Sequence, residues 1–118
     1  MRANISNELI NAIDERIYLD LELHVLTKKM NEAEKQGNEG FSKHLDNLIQ
    51  NTIKQRKQTQ DYLVKNGIKI FDVVEDDDKE FVEYPYYQKV NGGYKEGTMR
   101  YWRHAIRYKL KQRMSKYL

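Results

Sequence analysis

Catalysis needs groups brought together, and the side chains of this 118-residue chain that could do chemistry are dispersed. His24, His44 and His104 fall one in each of three segments that read as helices, with no motif around any of them. Asp20 precedes His24 by four residues, a spacing that shares one helix face. Two such groups are too few for a metal site, and neither long helix carries the Glu-x-x-His pair of a di-iron bundle. Asp76, Asp77, Asp78, Lys79 and Glu80 run together, but a calcium loop needs alternating ligands, glycine at its sixth position and glutamate at its twelfth. Counted from Asp72 the sixth position is Asp77, and counted from Asp76 it is Phe81, so the run reads as a solvated acidic turn. Gly92, Gly93 and Gly97 match the spacing of neither phosphate-binding loop and read as a linker. Glu80 and Glu83 could act as acid and base only inside a cleft. Cysteine is absent, which excludes disulfides, thiolate zinc sites and cysteine nucleophiles. Enzyme chemistry is not expected, and neither is a cofactor or a metal.

Charge and aromatic placement are more pointed. From Asn91 onward there are eight Lys/Arg against one acid, Glu96, while the preceding ninety residues sum to −4. At about 100° per residue, Arg100, Arg103, Arg107 and Lys111 share one arc of a helix, with His104 at its edge. Lys109, Arg113 and Lys116 lie elsewhere on it. Such a stripe suits the phosphates of DNA or RNA, or an acidic protein, with Tyr101, Tyr108 or Tyr117 free to stack on bases. The plainer alternative is a core helix with a solvated basic back, its arginine stems covering apolar surface. Zinc-finger spacing, an RNP signature and a helix-turn-helix are all absent. Seven of the nine tyrosines follow residue 83, and Tyr84, Tyr86, Tyr87 and Tyr94 form a candidate protein interface.

The elements that must position these groups follow from periodicity and turn signals. Residues 1–36 read as one helix, capped by Asn4 or Ser6 and stopped at Gly37. Its face is Ile5, Leu9, Ala12, Leu19, Leu23, Leu26, Met30 and Ala33, widened by Ile10, Ile13, Ile17 and Leu21. The alternation from Leu19 to Val25 also fits a strand, but the helical pattern extends through it on both sides. Residues 41–66 give a second helix, antiparallel to the first across a short loop. Residues 68–90 are β-branched and aromatic around the acidic run, the pattern of a β-hairpin with an acidic tip, with Pro85 marking an edge, a bulge or a break. Residues 91–97 read as a flexible linker and residues 98–118 as the basic amphipathic helix, with Thr98 as its cap.

The expected fold is α+β and mostly helical, a single domain over 1–118: a long antiparallel helical hairpin, a short β-hairpin and a C-terminal amphipathic helix packing back. Apolar surface on the hairpin calls for cover from that helix, from a second subunit, or from both. The acidic insert and the basic helix are also able to dock on each other, which would remove much of the free basic surface. With a mean hydropathy of −0.93 and polar, acidic residues where a signal peptide has an apolar run, the chain reads as cytoplasmic with no membrane partner. Lys, Asn, Ile and Tyr usage without cysteine is compatible with an AT-rich bacterial or phage genome. The expected function is that of a small adaptor or regulatory protein acting through protein–protein contacts, with homodimerisation a possibility. The alternatives are a nucleic-acid-binding protein using the basic helix and, more remotely, an enzyme whose site carries no recognisable motif.

Overall fold

The computed structural model describes residues 5–77 and 79–117. Asn4, the alternative cap, Asp78 of the acidic turn and Leu118 lie outside them. Helix α1 spans Asn7–Lys35 and is capped by Ser6, whose hydroxyl accepts from the Leu9 N–H at 3.3 Å. It stops in a Schellman turn: Asn38 N–H reaches Ala33 O at 2.9 Å and Gly37 N–H reaches Glu34 O at 3.1 Å. The Asn38 side chain then accepts from Phe41 N–H, so helix α2 starts two residues earlier than its periodicity implies and spans Glu39–Lys65.

Four strands follow: β1 Ile68–Ile70, β2 Val74–Glu75, β3 Phe81–Val90 and β4 Gly93–Trp102. Both β1 and β2 pair antiparallel with β3, and β4 pairs along the other side of β3 in unbroken register from Phe81↔Trp102 to Val90↔Gly93. Between Ile70↔Tyr86 and Val74↔Glu83, three residues oppose two. Pro85 is at that bulge. Its carbonyl accepts from Phe71 N–H at 2.8 Å, which turns its backbone nitrogen toward the bulge, where no donor is demanded. Proline is thereby accommodated in the middle strand of the sheet.

The acidic-tipped hairpin between residues 68 and 90 is present, but a second hairpin adjoins it where a linker and a helical turn were expected. Residues 93–97 are strand, not linker, and Thr98–Trp102 continue it. Gly92, at φ 85, supplies the left-handed residue that a two-residue turn between Val90 and Gly93 requires. Met99 and Trp102 fit a helical arc, but β3 offers ten residues of ladder, and that pairing outweighs local periodicity. Helix α3 is consequently only Arg103–Met114, and its N-cap is Trp102, with no side-chain bond, instead of Thr98. Its first N–H, from Arg103, is satisfied by Glu80 O at 2.8 Å.

The core explains why α1 is apolar on more than one side. One cluster joins Leu9, Ile13, Ile17 and Tyr18 of α1 to Leu63, Ile68, Val82, Tyr86 and Ile106. A second joins Leu26 and Ala33 to Leu45, Ile49 and Met114. The inner face of the sheet lies on α1 through Tyr101, edge-on to both Tyr18 and Tyr84 at 6.0 Å between centroids. Helix α3 packs back across α1 through Ile106 and Met114, with Leu110 half-buried between them. Ile13 and Ile17, which merely widen the helical face in the sequence, sit at the centre, while Phe41, Ile53 and Tyr62 of α2 stay exposed. Among the described residues, no helix is long and apolar enough to cross a membrane.

Candidate functional site

The basic residues divide sharply by what they touch. Arg100 is on the outer face of β4, not on the helix. It pairs with Asp76 and Glu83, each at 3.3 Å, and covers the Phe81 ring at 3.9 Å. Arg103 donates to Lys79 O at 2.6 Å and pairs with Glu75 at 3.4 Å. Three acids of the β2–β3 hairpin, Glu75, Asp76 and Glu83, are thus occupied by these two arginines. Lys109 pairs with Asp14 at 3.2 Å and lies over Tyr18. Lys116 lies over the Tyr117 ring.

Arg113 ties α3 to α1 through three hydrogen bonds to two carboxylates. Its two terminal nitrogens fork onto Glu15 at 2.8 and 2.9 Å, and its Nε donates to Glu22 at 2.7 Å. Glu22 is a carboxylate on the buried face of α1, with its side chain only 9% exposed. The Glu15 carboxyl is held below its ordinary range chiefly by the Arg113 hydrogen bond, against the opposing effect of burial. Its folded pKa lies below its unfolded one, so its contribution to stability is complete above about pH 4.3 and is lost as pH falls through the folded value. Unfolding free energy measured against pH should therefore fall on acidification below about pH 4.3. Arg113→Ala should flatten that fall; an unchanged slope would exclude the clamp as its origin. Beside it, Tyr101 donates to Asp14 at 2.6 Å, and burial followed by that bond pushes its phenol well above the ordinary tyrosine range.

What remains is the side of α3 facing away from this clamp. Arg107 and Lys111 are exposed and one turn apart, and neither pairs with an acid among the described residues. They face Lys29 of α1 across an open groove of about 490 Å³. Val25, Leu110 and Met114 form its apolar floor, Ser115 lines it as well, and no carboxylate does. A smaller groove of about 250 Å³ continues it toward the sheet, sharing Arg107 and Leu110 and bounded by Leu21, Val73 and Tyr84. The four-residue spacing does this: Leu21, Val25 and Lys29 follow one side of α1, while Arg103, Arg107 and Lys111 follow one side of α3 above Ile106, Leu110 and Met114. An apolar floor under a cationic rim is complementary in chemistry to an anionic group attached to an apolar body.

Strand alternation splits the candidate tyrosine surface. Tyr84 and Tyr86 point inward, Tyr84 half-buried against Tyr101 and Tyr86 only 6% exposed beneath Gly97, so neither is part of an exposed interface. Tyr87 and Tyr94 point outward with centroids 4.9 Å apart, and Phe71 joins them at 5.5 Å. His104 rests against Trp102 at 5.0 Å and His44 against Phe41. Asp20 is shared by Arg16 and Arg56. Among the described residues, no group of three His, Asp or Glu side chains could hold a metal ion.

Of the proposed basic stripe, therefore, Arg107 and Lys111 line the groove, Arg103 borders its smaller extension, and Arg100 and His104 are directed elsewhere. Lys29 escaped the sequence reading because charge was weighed within α3 alone. Its four-residue spacing from Val25, matched by Arg107 and Lys111, was the available signal.

Comparison with protein families matches the family described as YhjD protein over residues 4–118, and the chain belongs to that family. No curated protein and no solved structure matches the chain.

Proposed function

We propose that this member of the YhjD family is a non-enzymatic binding protein that takes an acidic, partly apolar segment of a protein partner in the α1–α3 groove. One observation carries the reading. Lys29, Arg107 and Lys111 surround an apolar floor with no carboxylate, whereas Arg100, Arg103, Lys109 and Arg113 are engaged by acids of their own chain. A helix presenting carboxylates beside leucines would satisfy both parts of that surface.

Nucleic acid is the second reading, supported by the exposure of Tyr108 and Trp102, at 64% and 52%, on or next to the same helix. It suits the groove less well, because phosphates gain nothing from an apolar floor and no aromatic ring lines it.

The test titrates the full chain with a synthetic leucine/glutamate amphipathic peptide, polyglutamate, mixed-sequence duplex DNA and single-stranded RNA, each at ~50 and ~200 mM salt. The amphipathic peptide should bind better than polyglutamate. Lys29→Glu combined with Lys111→Glu, its fold checked by circular dichroism, should weaken the peptide at least tenfold, about 1.4 kcal/mol. Nucleic-acid binding that is lost steeply with salt, without peptide binding, would replace this reading by the second. Absence of binding to all four probes would remove the groove as the functional surface.

A further inference from the structure

The two edges of the sheet are defended very differently. On one side β1 and β2 are short and broken by the bulge at residues 71–73, features that discourage further strand pairing. On the other, β4 is ten residues long, has neither proline nor bulge, and pairs with β3 alone among the described residues.

The ladder fixes which backbone groups of β4 are unused. Phe81, Pro85 and Lys89 of β3 bond toward β1 and β2 and their flanks, through Asp76 N–H, Phe71 N–H and Gly67 O respectively. The intervening β3 residues therefore bond to β4, and by the register their partners are its odd-numbered residues. The Arg103 N–H to Glu80 O bond continues that parity past the strand end. The N–H and C=O groups of Tyr94, Glu96, Thr98, Arg100 and Trp102 consequently point to the open edge. The side chains of the same five residues form the exposed outer row of β4.

That row is self-complementary about its centre. Read outward from Thr98 it is glutamate then tyrosine in one direction, and arginine then tryptophan in the other. We propose that β4 pairs antiparallel with β4 of a second copy of this chain about a two-fold axis through Thr98, extending the sheet across a homodimer. In this register Glu96 faces Arg100 of the other copy twice, Tyr94 faces Trp102 twice, and Thr98 faces its equivalent. Each opposed pair exchanges two main-chain hydrogen bonds. Moving the axis to Gly97 sets Tyr94 against Arg100 and Glu96 against Thr98. Moving it to Met99 sets Glu96 against Trp102. Only the Thr98 axis joins opposite charges and aromatic pairs at once. Arg100 keeps about half its side-chain surface open despite its own-chain partners, 54%, so it has room for a further carboxylate. The pairing is isologous and closes after two copies. It leaves the α1–α3 groove out of the interface, so neither proposal depends on the other.

Sedimentation equilibrium of the full chain over a range of concentrations tests the pairing. The wild type should populate a dimer. Glu96→Lys sets lysine against arginine at both contacts and should weaken association at least tenfold. Arg100→Glu sets glutamate against glutamate and should do the same. Mixed in equal amounts, these two variants should form a heterodimer, because both cross-strand contacts then join opposite charges. Thr98→Pro removes an N–H that β3 does not use and should give a folded monomer. It also decides the question if loss of the Arg100 contacts to Asp76 and Glu83 unfolds the Arg100→Glu chain. A wild type that stays monomeric throughout would overturn the proposal, as would a dimer that survives both Glu96→Lys and Thr98→Pro.

Discussion

Arg113→Ala should lower the unfolding free energy by about 3 kcal/mol, measured as a shift of the denaturant midpoint. The figure is large because the substitution strands a partner. Glu22 is buried on α1 and Arg113 Nε donates to it, so without the guanidinium a carboxylate stays in the interior uncompensated. Glu15 also loses its forked partner, though its exposure makes that loss the smaller part. A double substitution separates the charge from the packing. Arg113→Leu with Glu22→Leu removes both members of the buried pair, and should recover most of the stability that Arg113→Leu loses alone. If the double variant were as unstable as the single one, apolar packing of the arginine stem, and not the uncompensated carboxylate, would be holding α3 in place.

Gly97→Ala should cost about 2 kcal/mol, although alanine is ordinarily harmless in a strand. A Cβ at this position would lie 2.4 Å from Tyr86 Oη and 2.6 Å from Cζ. Tyr86 is Gly97's direct cross-strand partner, and its ring lies across the glycine, filling the gap left by the missing side chain. The ring is the far end of a side chain, but it is only 6% exposed and packs in the cluster with Ile13 and Leu63, so yielding to the new methyl disturbs that packing. In a Tyr86→Leu background the same alanine should cost less than about 1 kcal/mol. Equal penalties in both backgrounds would place the strain in the backbone of β4 instead of in the ring.

The helical hairpin was legible because its signals are local and agree: a cap at Ser6, a glycine stop at Gly37, and apolar residues repeating over many turns; the Asn38 cap, hidden in the short reversal, was not. Strand β4 was not, because Met99, Trp102 and Ile106 fall at helical spacing and nothing nearby announces that a ten-residue partner precedes them. Gly92 was the available clue, since a glycine after asparagine between two β-prone runs marks a hairpin as readily as a linker. That misplacement carried Arg100 onto the wrong element. The docking of acidic insert against basic segment was partly foreseeable from their opposite charges, and Arg100 and Arg103 do meet Asp76, Glu83 and Glu75. The clamp of Arg113 on Glu15 and Glu22 was hidden because Arg113, though it falls close to the apolar arc of its helix, has partners that read as ordinary surface charges of a helix far away in sequence. Lys29 was hidden for the same reason, since a groove belongs to two helices and to neither alone.

The clamp also imposes an order on folding. Helices α1 and α2 are joined by a tight turn, so their hairpin can zip outward from it, with far contacts such as Arg56 to Asp20 spanning 36 residues. Arg113, by contrast, meets Glu22 across 91 residues and Glu15 across 98. Until both sheet turns have formed, α3 is not delivered to α1, and Glu22 remains a hydrated charge on an open helix. Its burial is therefore expected to be a late event, on the native side of the rate-limiting barrier. Mutating the clamp should then accelerate unfolding while leaving the refolding rate nearly unchanged. On that outcome, the same feature that fixes where α3 sits would govern how long the folded molecule persists, more than how fast it is made.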